Sequence, residues 1–178
     1  MDRLILFRHA KAEPRAAGGE DFDRPLAQSG RRDAAAVGEL LAREAVVPDL
    51  ALVSDALRTR QTWDCVSAAF PDARAQMLEA LYNATAGEIA ATLEEAAGSA
   101  QTVMIVGHNP GLQEFGVTLL IQGGAPPHDI EAMAAGLPTA TAVAFVFDAA
   151  GRAAFDGRWG PRDAAARQAV LGKRGKSR

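Results

Sequence analysis

Residues 102–112 read TVMIVGHNPGL, and this stretch decides the fold. Its first five residues, 102–106, form an apolar run without polar alternation, the pattern of a strand covered on both faces. The run gives way to Gly107, His108 and Asn109, and Pro110 then stands where the first turn of a helix tolerates a residue lacking an N–H. A buried strand that feeds directly into a helix over 111–121 is one unit of a layered α/β fold, in which crossover helices cover the sheet.

The same rhythm recurs outward from this unit. Toward the N-terminus, residues 4–7 (LILF) and 50–53 read as buried strands, and 75–78 as a third. Between them, Ser29 can cap a helix carrying Val37, Leu40 and Leu41 that Pro48 stops, residues 57–70 read as a helix broken before Pro71, and a Glu-rich helix runs over about 87–97. Toward the C-terminus, the GGAPP stretch at 123–127 reads as a loop, and residues 142–147 and 153–159 pair as strands across the turn at 148–151. The expected architecture is a three-layer α/β/α sandwich with a largely parallel central sheet. It forms one domain over residues 1–172, followed by a basic tail at 173–178 (KRGKSR) that reads as a solvated, disordered end.

Composition bounds the function. With 178 residues the chain fits a single domain that needs no staples, and its one cysteine, Cys65, excludes an internal disulfide framework and a cysteine-based zinc site. A net charge of −3 has the wrong sign for a sequence-independent nucleic-acid binder. No stretch approaches the roughly 20 apolar residues that span a bilayer. The expectation is a soluble, cytoplasmic protein whose partners are neither nucleic acid nor membrane. Alanine accounts for 39 residues, so the helices should pack closely and the large apolar side chains should concentrate in the strands.

In an open α/β sheet the ligand site lies beyond the carboxyl ends of the strands. Three strand ends here carry unusual polar residues: Arg8 and His9 after the first, Ser54 with Arg58 one turn on after the second, and His108 with Asn109 after the TVMIV run. Two arginines suit the bidentate grip of phosphate oxygens, and positive charge beside a histidine keeps it neutral with a lone pair free for nucleophilic attack. The constellation reads as phosphoryl transfer through a phosphohistidine. A metal site is the competing reading of two histidines. It is weaker, because nearby carboxylates lack ligand spacing and arginines repel a divalent cation.

These residues carry a resemblance. Arg8-His9-Ala10 is similar to the Arg-His-Gly signature of the histidine phosphatase superfamily, and LILFRHAKAE as a whole resembles the opening of its short bacterial, SixA-like branch, a group of phosphohistidine phosphatases. Residues 21–30 (DFDRPLAQSG), 54–62 (SDALRTRQT), 106–112 (VGHNPGL) and 137–142 (LPTATA) are similar to further motifs of that branch, in order. Ala10 stands where glycine is usual, and Ala27 where a threonine would cap the following helix.

The resemblance implies a phosphoglycerate mutase-like fold and a metal-independent phosphatase without a cofactor. His9 is then the phosphorylated residue, Arg8 and Arg58 grip the phosphoryl oxygens, and His108 donates to the transferring group. Asp21 and Arg24 are candidates for substrate contact, with Asp21 either a proton donor, a phosphate-orienting group or one half of a loop-closing salt bridge. Asn109 is a further candidate at the start of its helix. Glu79 stands where mutase-like relatives carry a general acid, but without their surrounding sequence. Weak acid equipment favours leaving groups that need little protonation, so the expected substrate is a phosphohistidine on a signalling or phosphotransfer protein, with inorganic phosphate as product. The rivals are a small-molecule phosphomonoesterase and a binding module for phosphorylated ligands without turnover.

Overall fold

A computed structural model describes residues 1–174 of the chain. Six strands form one sheet: β1 (Arg3–Arg8), β2 (Leu50–Ser54), β3 (Arg74–Leu78), β4 (Thr102–Gly107), β5 (Ala142–Phe147) and β6 (Ala153–Trp159), in the order β3-β2-β4-β1-β5-β6. Strands β1 to β4 pair in parallel. Strand β5 runs against both β1 and β6, so five of the six strands point the same way and the sheet is largely parallel, as the sequence predicts.

The strand residues alternate between two cores. Leu4, Leu6, Leu52, Val103, Ile105 and Phe145 face one layer, where α3 (Ala86–Ala96), α4 (Gly111–Gly123) and α5 (Pro127–Ala134) supply Ile89, Leu93, Leu112, Leu120 and Met133. Ile5, Phe7, Val53, Met104 and Val106 face the other, against Val37 and Leu41 of α1 (Gln28–Arg43) and Trp63 and Val66 of α2 (Leu57–Ser67). A sheet covered on both faces needs apolar residues at successive positions, which is why the central strands read as continuous runs. On the α1–α2 side small residues set the spacing. A Cβ on Gly38 would stand 3.0 Å from the Val66 carbonyl oxygen, a contact that would need the two helices to move apart slightly.

Some boundaries differ from the sequence reading. Helix α1 begins at Gln28, with Ala27 extended at its N-cap and no side-chain cap bond, so Ser29 lies inside the first turn rather than before it. The cause is tertiary: an isolated antiparallel bridge joins Ala12 to Leu26, the Ala27 amide donates to the Lys11 carbonyl, and the helix starts where that pairing ends. The expected GGAPP loop is shorter than its sequence suggests. Gly123 closes α4, Gly124 is a left-handed C-cap at φ 71°, and Pro127 opens α5 as a proline can at a first turn. A last helix, α6 (Pro161–Arg174), follows β6. It includes Lys173 and Arg174, the first two residues of the expected tail; residues 175–178 of that tail lie outside the described residues. No helix among the described residues is long and apolar enough to cross a membrane.

Candidate active site

The carboxyl ends of β1, β2 and β4, the start of β5 and the loop before α1 converge at one edge of the sheet. His9, the first residue past β1, is fixed by its backbone on both sides, donating to the Gly107 carbonyl at 3.0 Å and accepting from the Ala140 amide at 3.1 Å. Its Nδ1 lies 2.8 Å from the Ala10 carbonyl oxygen. A carbonyl only accepts, so Nδ1 carries the proton and the lone pair is at Nε2. Burial, opposed in part by that hydrogen bond and reinforced by the charges of Arg58, Arg8 and Arg24, lowers the His9 pKa to about 4. The ring is neutral at physiological pH.

Arg8 donates from Nη1 to the Leu137 carbonyl at 2.8 Å, and its backbone amide bonds the Thr141 carbonyl at 3.1 Å. Arg58, in the first turn of α2, is only 4% exposed. Its Nη1 donates to the Asp21 carbonyl at 2.7 Å and its Nη2 to Asp21 Oδ2 at 3.0 Å, so one residue holds both ends of the fork. The same carboxylate accepts from Arg24 Nη1 at 2.9 Å and from the Tyr82 hydroxyl at 2.9 Å. Bonds from Arg24 and Tyr82, with the charge of Arg58, lower the Asp21 pKa to about 2 despite some desolvation. Asp21 is therefore ionised wherever the protein is folded at ordinary pH.

The His108 ring stands 5.2 Å from that of His9, centroid to centroid. Burial first, then Arg58 and His9, lowers its pKa to about 3. Tyr82 packs edge-on against His108 at 5.6 Å and against Phe22 at 4.9 Å, with the Arg58 guanidinium carbon 5.7 Å from its ring centre. Desolvation and the Asp21 carboxylate raise the Tyr82 pKa, so its hydroxyl stays protonated.

The structure thus brings His9, Arg8, Arg58 and His108 to one place and adds Asp21 and Arg24 at its rim. Asn109 is turned inward: its Nδ2 donates to Gln113 Oε1 and to the Leu137 carbonyl, each at 3.1 Å. Glu79 is exposed on a short 3-10 turn after β3. His128 is exposed in the first turn of α5. Gln61 and Thr62 fix the helix rather than the pocket surface. Gln61 Oε1 accepts from the Leu26 amide at 2.8 Å, while Thr62 Oγ1 accepts from the Ala10 amide at 3.0 Å and donates to the Arg58 carbonyl at 2.7 Å. Ala10 is not among the residues with positive φ, so this backbone makes no use of a glycine there. The following loop is tight for another reason: a Cβ on Gly30 would overlap the Lys11 carbonyl oxygen.

Two features escape a reading of the sequence. The Leu137 carbonyl, which accepts from both Arg8 and Asn109, belongs to an apolar residue and leaves no side-chain signal. The Tyr82 bond to Asp21 joins residues 61 positions apart. A third was accessible, since Ser54 opens the SDALRTRQT segment at a strand end, and its Oγ lies 2.8 Å from His108 Nε2.

A family model described as histidine phosphatase superfamily (branch 1) matches residues 4–109. An uncharacterized chloroplastic protein of Arabidopsis thaliana is 35% identical over 122 residues, which are 63% of this chain and 56% of that protein, so the match spans little more than half of the relative. A candidate phosphohistidine phosphatase SixA of Agrobacterium tumefaciens is similar in structure with a TM-score of 0.76 at 33% identity, over 90% of this chain and 98% of the other. A candidate SixA of Nakamurella multipartitia has a TM-score of 0.77 at 28% identity, over 90% and 96%.

Proposed function

The chain belongs to the histidine phosphatase superfamily, and from that premise we propose that it is a phosphatase whose His9 carries the phosphoryl group between substrate and water. The observation that carries this reading is the His9 Nδ1 bond to the Ala10 carbonyl, which leaves a neutral ring with its lone pair at Nε2. Nε2 attacks phosphorus, the bond from phosphorus to the leaving group breaks, and the departing atom keeps the bonding pair. Arg8 and Arg58 meet the charge that spreads over the equatorial oxygens, and His108 donates to one of them. Water then attacks phospho-His9, Nε2 recovers its electron pair, and inorganic phosphate leaves. Guanidinium groups provide the positive charge, so the reading needs no metal and no cofactor.

The proton inventory favours a particular leaving group. His9 and His108 are neutral, and Asp21 is ionised by its bonds to Arg24, Tyr82 and Arg58. An ionised carboxylate cannot protonate an alkoxide, so Asp21 acts as the clamp on Arg58 and not as a general acid. Imidazole departing from a phosphohistidine is a far weaker base than an alkoxide and leaves with little help. The supported substrate is therefore a phosphohistidine on a partner protein, ahead of a sugar or glycerate phosphate. The part exposure of Asp21 and Arg24 at the rim supports their contact with that partner.

Reaction with labelled phosphoramidate, followed by an acid quench, tests the reading. Acid-labile label on the protein that is absent in His9→Ala supports it, together with faster turnover of phosphohistidine than of sugar phosphates. Phosphate binding without label or turnover would make the protein a binding module instead, and preference for sugar phosphates would make it a phosphomonoesterase.

A further inference from the structure

Ser54 is wholly buried at the end of β2, and its Oγ has one hydrogen-bond partner among the described residues, His108 Nε2 at 2.8 Å. Buried polar groups are almost always paired, and an unmade bond there is expensive. Two arrangements of the protons are possible. If Nε2 carried the ring proton and donated to Ser54, the serine's own proton would be buried without an acceptor, and His108 Nδ1, which has no partner among the described residues, would be a bare buried acceptor as well. If Ser54 donates to Nε2, the hydroxyl proton is satisfied and only one group, the Nδ1–H, remains unpaired.

We propose that Ser54 is a positioning residue that donates its hydroxyl proton to His108 Nε2 and so holds His108 as the Nδ1–H tautomer. The proton at Nδ1 has no acceptor within the described protein. With Nε2 committed to Ser54, it is the one ring proton that His108 can offer an oxygen of the transferring group. The unpaired atom is thereby part of the site's preparation rather than a packing defect, and Ser54 sets both the position of that proton and the orientation of the ring. This consequence for catalysis rests on the phosphatase reading; the tautomer itself does not.

The test therefore has two parts. In nitrogen-15 spectra of the full chain at neutral pH, His108 should show a protonated Nδ1 and a bare Nε2, and Ser54→Ala should shift that population toward protonated Nε2. A wild-type ring protonated at Nε2, or a pattern unchanged in Ser54→Ala, overturns the proposal whether or not the protein is an enzyme. In turnover of phosphoramidate, Ser54→Ala should lower kcat about tenfold, as loss of a buried hydrogen bond on an active-site group does, with KM little changed. Ser54→Thr, which keeps the hydroxyl, should restore most of it. In a His108→Ala background Ser54→Ala should add nothing, since a residue acting through another has no effect once that other is gone. Additive losses in the double variant would overturn the proposal.

Discussion

Thr62 ties Ala10 to Arg58. One hydroxyl accepts the Ala10 amide at 3.0 Å and donates its own proton to the Arg58 carbonyl at 2.7 Å, so the backbone beside His9 and the helix bearing Arg58 are joined through a single buried oxygen.

Thr62→Val keeps the shape and removes the oxygen. The Ala10 amide is then buried without an acceptor, and stability should fall by about 1–2 kcal/mol in urea unfolding. On the proposed mechanism the rate of phosphoryl transfer should fall as well, because Arg58 is no longer tied to the backbone beside His9. A variant with lowered stability and unchanged kcat would show that this link serves folding alone.

Asp21→Asn leaves an acceptor but removes the charge opposite Arg58, a buried cation with no other carboxylate on it among the described residues. The value of kcat/KM should drop about tenfold, since charge-assisted bonds to a guanidinium fork are stronger than neutral ones. The wild-type carboxylate also contributes to stability with a definite pH dependence. Its folded pKa, about 2, lies below its ordinary value of 3.8, so the contribution is present above pH 3.8 and is lost as pH falls through about 2. The stability difference between wild type and Asp21→Asn should close over that window in acid unfolding curves.

The two site histidines act on stability higher in the pH range. Each has a folded pKa well below the ordinary 6.5, about 4 for His9 and about 3 for His108. Between pH 6.5 and 4 the unfolded chain binds protons that the folded chain refuses, so stability should decline as pH falls through this interval and be level above it. His9→Asn and His108→Asn should each flatten the decline. Formation of the phosphoenzyme should hold its rate from neutral pH downward and fail only as His9 takes up a proton near pH 4.

Chelators should leave turnover unchanged. On the proposed mechanism Arg8 and Arg58 provide the charge that a divalent cation would otherwise bring, and among the described residues no group of three or more His, Cys, Asp or Glu side chains could hold one. Activity lost to a chelator and restored by a metal ion would require a different account of how the transition-state charge is met.

Much of this protein is determined by local pattern. The continuous apolar runs at LILF and TVMIV arise because both faces of the sheet are covered, and the polar residues directly after them fall at the carboxyl edge by the geometry of parallel strands. His9, Arg8, Arg58 and His108 are therefore legible as one group in the sequence alone. Tertiary structure decided where α1 starts, because the bridge from Ala12 to Leu26 outweighs a serine with good capping chemistry two residues further on. Only the fold could turn Asn109 inward, place Tyr82 on Asp21, and set the Asp21 carboxylate against the Arg58 guanidinium. Proton positions and hydrogen-bond partners depend on atoms that approach from distant parts of the chain. Periodicity and motif carry no record of those approaches.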